Sequence, residues 1–325
     1  MPLASPSALS HVARRIGSHA WALLLFTTLI WGANAVAARL AVNEIPPMVL
    51  TASRWVICCV ALWATSRQQI AQHWRSLVPS WRVIVAMGAL GFTGFNALFY
   101  AAAYHTTAIN IAIIQGTIPI LVLIGSFLFF GTRVGPLQAL GVLMTLGGIA
   151  VVASRGDLSV LAQLAFNIGD VWMVVACILY TGYTLALRNR PAVPAIVFFA
   201  AMALVAFVSS LPLVVLEAVR GGFYLPSAKG VAIALFVGLL PSFVSQITFM
   251  RAIELIGPAR AGVFLNLVPI FGPLLAMLVL REPLMPYHLL ALLLVLGGIA
   301  VAEYFGVRGS GRAVVSRSPD TTESP

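Results

Sequence analysis

The chain has 325 residues, of which 61% are hydrophobic and only 9% are charged, and its mean hydropathy is +1.01. In water-soluble domains about a quarter of the residues are charged, so this composition excludes a water-soluble domain and indicates a protein that lies in lipid. The formal net charge of +10 raises the possibility of a nucleic-acid partner, but the basic residues cluster at the ends of apolar segments, which predicts no such partner.

Ten apolar runs are each long enough to cross about 30 Å of hydrocarbon as a helix. A membrane barrel is excluded, because the period-two alternation of its strands is missing and a lipid-exposed backbone must bond within its own segment. The expected fold class is therefore an all-α integral membrane protein with ten transmembrane helices. The predicted spans are 21–41, 47–66, 82–104, 108–130, 136–154, 169–188, 194–216, 230–250, 259–280 and 287–306.

The first two spans contain polar residues that have little reason to face hydrocarbon. Trp31 and Asn34 lie on span 1 and are candidate cavity residues. Arg54 on span 2 is the one basic residue well inside a span, and an intramembrane charge is a functional candidate by default. Because Arg54 lies near the outer end of its span, where it could reach the interface or pair with Glu44, a structural role is the favoured interpretation.

Span 3 carries a stripe of aromatic and amide side chains at spacings of three and four residues, which places them on one helix face. We expect this face to look inward, and Phe92 and Phe95 belong to it. Its candidate binding residues are Asn96, Phe99 and Tyr100.

Spans 4 and 9 carry matched prolines. Gln115 precedes Pro119, and Asn266 precedes Pro269, so an amide and a proline recur together. Each proline removes an intrahelical hydrogen bond, which allows two interpretations: a hinge for conformational change, or a simple shaping of the bundle, which is favoured. The amides are candidate binding residues.

Spans 5 and 10 both end in the hexamer LGGIAV, at Leu146 and again at Leu296. The same offset of 150 residues pairs Gly88 with Gly238 and also aligns the two prolines, which indicates an internal duplication. The predicted repeats are 21–154 and 169–306, joined by a loop at 155–168 and flanked by tails at 1–20 and 307–325.

Spans 6 and 8 repeat the polar and aromatic pattern of spans 1 and 3. The candidate binding residues here are Tyr180, Tyr183, Ser245, Gln246 and Phe249. For any one of these polar groups, an interhelical hydrogen bond is an equally good explanation, whereas the set as a whole favours a binding site.

Five spans in each repeat make the second repeat enter the membrane from the opposite side. Inverted repeats recur in secondary transporters, which bind substrate near the midplane and alternate access between the two sides. With both termini on one side, 13 of the 19 basic residues fall on that side and 5 on the other, which predicts that both termini are cytoplasmic.

The Trp31-Gly32 pair, Arg54 early in span 2 and the two hexamers resemble the EamA-type drug/metabolite transporter superfamily. The resemblance implies a bacterial inner-membrane carrier whose cavity is built by spans 1, 3, 4, 6, 8 and 9. Within the superfamily the chain looks most like amino-acid and metabolite exporters of the YddG type. The expected substrate is then a small amphipathic metabolite, most of all an aromatic or apolar amino acid.

Other classes remain open at this stage: an efflux carrier for drug-like or lipophilic cations, and a membrane receptor or channel that transports nothing. An enzyme is not expected, since no HExxH motif, GxSxG elbow or P-loop occurs. We therefore expect no catalytic residue, metal or cofactor. We also expect a monomer in the lipid bilayer, because one chain contains both repeats, and facilitated movement, because no carboxylate is expected at mid-membrane.

Overall fold

A computed structural model describes residues 19–132, 134–157 and 167–315. Within these ranges the regular secondary structure is entirely helical. Most of the predicted N-terminal tail, residues 158–166 of the predicted loop and residues 316–325 lie outside the described residues. The helices are α1 (Ala20–Leu40), α2 (Pro47–His73), α3 (81–102), α4 (Ala108–Phe130), α5 (Pro136–Ala153), α6 (Ile168–Ala186), α7 (Ala195–Val219), α8 (Ala228–Ile256), α9 (258–280) and α10 (Pro286–Val315).

Among the described residues, eight helical stretches are long and apolar enough to cross a membrane, which makes the chain a multi-pass membrane protein. The count is below ten for two reasons. Helices α2 and α3 fall in one stretch, Pro47–Ala102, because the turn between them at Trp74–Ser80 is itself a 3-10 helix, and the apolar part of α10, Pro286–Ala302, is short. Ten membrane crossings therefore stay a prediction.

The stretch of α2 and α3 is not one straight rod. Its 56 residues would extend about 84 Å as a straight helix. The Arg54 guanidinium of α2 nevertheless lies 2.6 Å from the Tyr100 hydroxyl of α3. The chain must therefore turn back between the two helices, at the 3-10 turn that contains Pro79.

Each main contact between two helices has an equivalent contact between their counterparts in the other half of the chain. Helix α3 packs on α6 and α7, and its counterpart α8 packs on α1 and α2. In the same way, α6 contacts α4 in one arrangement and its counterpart α1 contacts α9 in the other. Three further contacts each join a helix to its own counterpart: α2 with α7, α4 with α9 and α5 with α10. This exchange is the pattern that a two-fold relation between two halves produces.

The hexamers lie where α5 and α10 pack together, and their second glycines explain the close approach. A Cβ atom added at Gly148 would lie 2.7 Å from Val295 Cγ2, and one at Gly298 would clash with the Thr145 hydroxyl and the Gly141 carbonyl oxygen. Small residues at such positions let two helix backbones approach closely in lipid. The recurring hexamer thus serves helix packing at one interface.

Helices α3 and α8 each contain a π-helical segment at equivalent positions, Met87–Gly94 and Gly238–Val244. Such wide turns shift the register of the side chains that follow, and they occur often at functional sites. The paired glycines Gly88 and Gly238 pack against α7 and α2 respectively. Both repeats therefore widen the same helix at the same place.

The two predicted hinge residues lie at breaks in α4 and α9. Pro119 is in the first turn of Ile118–Phe130, and Pro269 is in the first turn of Val268–Leu275. A proline is tolerated there because the first amides of a helix have no intrahelical partner. The prolines thus mark where each helix restarts, and their role as hinges stays a prediction.

Candidate functional site

A cavity of about 830 Å³ lies between the two halves of the chain. Its size falls within the range of about 300–1,000 Å³ that is usual for small-molecule pockets. Helices from both halves line it, and among the described lining residues there is no Asp or Glu, whereas Arg54 and Arg190 are present. The cavity is therefore mainly apolar and, where it is charged, positive.

Aromatic rings form a continuous wall on one side of this cavity. The Trp55 and Phe92 rings stack with centroids 4.7 Å apart, and Phe92 meets the edge of Tyr183 at 5.2 Å. Tyr183 contacts Tyr180 at 5.2 Å, and Tyr180 contacts Phe95 at 5.1 Å. Ring pairs at these separations stabilise one another and present flat apolar surface to a ligand.

The opposite wall joins α1 to α8. The rings of Trp31 and Phe249 have centroids 5.2 Å apart, and Trp31 Nε1 donates a hydrogen bond to the Pro241 carbonyl oxygen at 3.0 Å. Pro241 belongs to the π-helical segment of α8. Gln246 lines the cavity from the same helix, so this wall presents an amide beside its aromatic rings.

Arg54 holds a polar cluster at the cavity wall, and its side chain is 5% exposed. Its Nε donates to Ser242 Oγ at 2.7 Å, and its Nη1 donates to Asn96 Oδ1 and to the Tyr100 hydroxyl. Tyr100 in turn donates to Asn34 Oδ1 at 3.2 Å. Every acceptor in this cluster is neutral. The pairing of Arg54 with Glu44 that the sequence suggested is not formed, since Glu44 bonds to Ser227 and Lys229.

Most of the predicted site residues come together in this cavity. Of the candidate hinge residues, Pro119 lies in its wall and Pro269 does not. The predicted binding residues that line it are Trp31, Asn34, Asn96, Gln115, Tyr180, Tyr183, Gln246 and Phe249. Those that do not line it are Phe99, Tyr100, Ser245 and Asn266.

The residues outside the cavity have identifiable surroundings. Phe99 and Tyr100 lie one helical turn beyond Phe95 and Asn96 and are almost fully buried between neighbouring helices. Ser245 is fully buried beside α1, where its carbonyl oxygen accepts a hydrogen bond from Thr27. Asn266 lies in the 3-10 segment Phe264–Leu267, in which Leu265 is the residue that lines the cavity.

The cavity extends to one end of the helix bundle and is closed at the other. Gln138 at the start of α5 and the exposed Arg190 after α6 both line it, so it reaches the end where these two segments lie. At the far end, polar contacts join the halves: Tyr104 Oη lies 2.8 Å from Tyr224 Oη, and Lys229 Nζ lies 3.1 Å from Glu44 Oε1. The structure therefore has the arrangement of a cavity with one open mouth.

The loop groups of the closed end have altered acidities. The Ser227 hydroxyl, followed by the Lys229 ammonium, holds the pKa of Glu44 below its usual range, because both stabilise the carboxylate. Burial is the main reason that the pKa of the Tyr224 phenol is raised, and its hydrogen bond with Tyr104 adds to the effect.

A second buried polar cluster lies near the same end, away from the cavity. Asp170 is 1% exposed, and its Oδ1 accepts hydrogen bonds from the Thr106 hydroxyl at 2.5 Å and from Asn110 Nδ2 at 3.4 Å. His288 Nε2 lies 3.1 Å from Asn110 Oδ1. The cluster ties α6 and α10 to the start of α4, and it places a carboxylate deeper than its position near a span end had suggested.

The structure adds Arg54, Trp55 and Ser242 to the predicted binding residues, and it places Phe92 and Phe95 in the cavity wall, as expected for the inward-facing stripe on span 3. A signal was present for each group. Arg54 is the only basic residue well inside a predicted span, and Phe92 and Phe95 precede Asn96 on the same stripe. Ser242 lies on the corresponding stripe of span 8, because the offset of 150 residues pairs it with Phe92.

Comparison with known proteins identifies the family to which the chain belongs. The model of the EamA-like transporter family matches residues 19–154 and 167–304, so two copies of its domain cover most of the chain. The chain belongs to the EamA-like transporter family. The two matched ranges overlap the two predicted repeats, and the resemblance found in the sequence is confirmed.

Several relatives of this transporter are similar over most of their length. The probable terminal-alkyne amino-acid exporter of Streptantibioticus cattleyicolor is 25% identical over 88% of this chain and 93% of its own. The uncharacterized transporter YetK of Bacillus subtilis (strain 168) is 22% identical over 87% and 86%. A crystal structure 19% identical in sequence covers 89% of this chain and 98% of its own with a TM-score of 0.61, so the two share a fold.

Proposed function

We propose that this transporter is a secondary carrier that exports small amphipathic metabolites, with aromatic and apolar amino acids as the favoured substrates. The observation that carries the proposal is the cavity of about 830 Å³ between the two halves, with aromatic rings and a few amides and hydroxyls in its wall. Flat rings bind an apolar side chain, and the polar groups bind a carboxylate or an ammonium.

Two further observations support an amino-acid substrate. Gln115 belongs to the cavity wall, and its buried Oε1 has no hydrogen-bond partner among the described residues, so an ammonium group would satisfy this acceptor once the side chain turns into the cavity. One relative carries amino-acid export in its name. A lipophilic cation fits less well, because the described lining has two arginines and no carboxylate to neutralise a cation.

Transport proceeds in this proposal by alternating access, with the two repeats inverted in the membrane and rocking about the cavity. The exchangeable helix contacts and the single open mouth are consistent with such a cycle. Pro119 and Pro269 are hinge candidates, since they lie at the breaks of two counterpart helices that pack together. Because both halves of one chain build the cavity, we propose that a monomer is sufficient.

The basic residues at the predicted inner ends support a bacterial inner-membrane location with both termini in the cytoplasm. The open mouth near Arg190 then faces the cytoplasm, which suits an exporter loading its substrate. A reporter enzyme active only in the periplasm, fused after residue 325, is expected to be inactive, and full activity there would contradict this orientation.

The proposed function is tested by counterflow in proteoliposomes. Vesicles preloaded with unlabelled phenylalanine are expected to take up labelled phenylalanine in a saturable manner, and vesicles without the protein are not. Phe249→Ala, in the cavity wall, is expected to weaken this exchange, whereas Phe129→Ala, on a side chain that is 76% exposed on the bundle surface, is not. Conductance without saturation would favour a channel, and tighter exchange of a lipophilic cation would favour a drug carrier.

A further inference from the structure

The Arg54 guanidinium is a buried positive charge without a negative partner among the described residues. Its three hydrogen bonds to described residues all go to neutral oxygens, those of Ser242, Asn96 and Tyr100. The described carboxylates have other partners, for example Lys229 for Glu44 and Thr106 for Asp170. Taking a charge out of water is costly unless an opposite charge or several hydrogen bonds compensate for it, so an anion at this position would be strongly stabilised.

The N–H donors of Arg54 that have no partner among the described residues are those of Nη2. A guanidinium has five N–H donors and keeps its positive charge in proteins. The Nε hydrogen and both Nη1 hydrogens are used within the cluster, while Nη2 makes no hydrogen bond to a described residue. Arg54 also lines the cavity, so the remaining donors belong to a side chain that a ligand in the cavity can reach.

The neutral cluster holds the guanidinium in a fixed orientation. Trp55 and Tyr100 place their rings 5.3 and 5.6 Å from Arg54 Cζ, and Ser242 and Asn96 hold Nε and Nη1. A preoriented guanidinium loses little conformational entropy when it binds a planar, charged group. Neutral hydroxyl and amide acceptors are also weaker partners than a carboxylate, so they do not satisfy the charge themselves.

We propose that Arg54 binds the carboxylate of the transported substrate and that this carboxylate, more than the amino group, is what the cavity recognises. This inference rests on the proposed function, because it assumes that the cavity holds the substrate. It names a substrate class wider than amino acids: aromatic or apolar monocarboxylates, with or without an α-amino group. The aromatic wall begins at Trp55, the neighbour of Arg54, and therefore receives the apolar part of the same molecule.

Four ligands of nearly equal size separate the contributions of the two charged groups. Phenylalanine carries both charges, 3-phenylpropionate only the carboxylate, phenethylamine only the ammonium, and phenylalanine amide has its carboxylate neutralised. Binding of each to the purified full chain in lipid nanodiscs is measured by titration. We expect phenylalanine and 3-phenylpropionate to bind at least about tenfold more tightly than the other two, as is typical of hydrogen bonds to a charged group.

Substitutions then assign the effect to Arg54. Arg54→Gln is expected to weaken binding of 3-phenylpropionate by about tenfold or more and to change binding of phenethylamine by less than about twofold. Arg54→Lys keeps the charge but not the planar fork and is expected to give an intermediate loss. The matched control is Arg67→Gln, which removes the same charge from an exposed side chain of the same helix, outside the cavity lining, and is expected to leave the preference for a carboxylate in place.

The outcomes distinguish this inference from the proposed function. If none of the four ligands binds or is exchanged, the proposed amino-acid transport itself is wrong. If phenylalanine is exchanged but phenethylamine binds as well as 3-phenylpropionate, transport stands and the role of Arg54 is refuted. The same holds if Arg54→Gln weakens all four ligands equally, as a purely structural residue would. Tighter binding of an aromatic phosphonate of the same length would overturn the carboxylate assignment. Since the ligand series uses the unmodified protein, it decides the question even if Arg54→Gln does not fold.

Discussion

Trp31 donates a hydrogen bond from its indole nitrogen to the Pro241 carbonyl oxygen at 3.0 Å, so a side chain of α1 is anchored on the π-helical segment of α8. The same ring contacts Phe249. Two elements from different halves of the chain thus meet at the cavity wall. Changes at this contact should therefore affect stability and ligand binding in separable ways.

Trp31→Phe keeps an aromatic ring but removes the hydrogen bond, and we expect it to lower the free energy of unfolding by about 1 kcal/mol. Trp31→Ala also removes the ring pair, and we expect binding of an aromatic ligand to weaken about two- to tenfold, since such pairs contribute about 0.5–1.5 kcal/mol. Thermal unfolding and ligand titration in nanodiscs measure the two effects. Trp63→Phe, on a side chain that is 60% exposed, is the control, and an equal loss of stability there would contradict the prediction.

The assignment of cavity-facing positions predicts which residues react with water-soluble thiol reagents. In a background that lacks Cys58, Cys59 and Cys177, Cys replacing Gln115, Gln246 or Phe249 is expected to react, and bound phenylalanine is expected to slow the reaction. Cys replacing the buried residues is expected to stay unreactive. These comparison positions are Phe99 and Ser245. Labelling of the buried pair alone would show that α3 and α8 are rotated.

The packing of α5 against α10 predicts a difference between two adjacent glycines. Gly298→Ala introduces a Cβ atom against the backbone of α5 and is expected to destabilise the protein by about 1–3 kcal/mol, the usual effect of overpacking. Gly297→Ala meets only the flexible end of Met144, at 3.3 Å, and is expected to be tolerated. Thermal unfolding of the two variants measures the difference, and equal melting temperatures would show that the helices do not meet at the second glycine.

The closed end predicts a loss of stability in acid. Because the folded state holds the pKa of Glu44 below its ordinary 4.5, the contribution of Glu44 is present above that value and is lost as the pH falls through the lowered pKa. The effect is expected to be small and to weaken in salt, since the contact with Lys229 is exposed. Melting temperatures measured between pH 3 and 7 should therefore converge with those of Glu44→Gln in acid. A difference that persists at the lowest pH would argue against the carboxylate.

Facilitated transport is the remaining prediction, and Asp170 provides its sharpest test. This carboxylate lies outside the described cavity lining and is bonded to Thr106 and Asn110, so we expect a structural role for it. Asp170→Asn retains an acceptor for Thr106 and is expected to change counterflow by less than about threefold. An imposed pH difference is expected not to drive accumulation in proteoliposomes. Accumulation that an ionophore abolishes, and that Asp170→Asn lacks, would instead identify Asp170 as a proton-coupling residue.

The sequence by itself determined the environment, the helical class and the family of this protein. Apolar runs of about 20 residues force helices, because a backbone in lipid must satisfy its own polar groups, and this constraint acts within each segment. The offset of 150 residues also revealed the duplication, and the stripe on span 3 correctly brought Phe95 and Asn96 to the cavity. These are local or periodic properties of the sequence, so they can be recognised without knowing which helices pack together.

Only the tertiary structure decided which side chains share the cavity and what holds them there. The π-helical segments shift the faces of α3 and α8, and the chain turns back after α2, which brings Arg54 to Asn96, Tyr100 and Ser242. Glu44, near Arg54 in sequence, bonds across the halves to Ser227 instead. Sequence patterns alone could not predict these contacts, because they join residues more than 40 positions apart. Their formation depends on how each helix is rotated and where it is widened, which packing between the two halves controls.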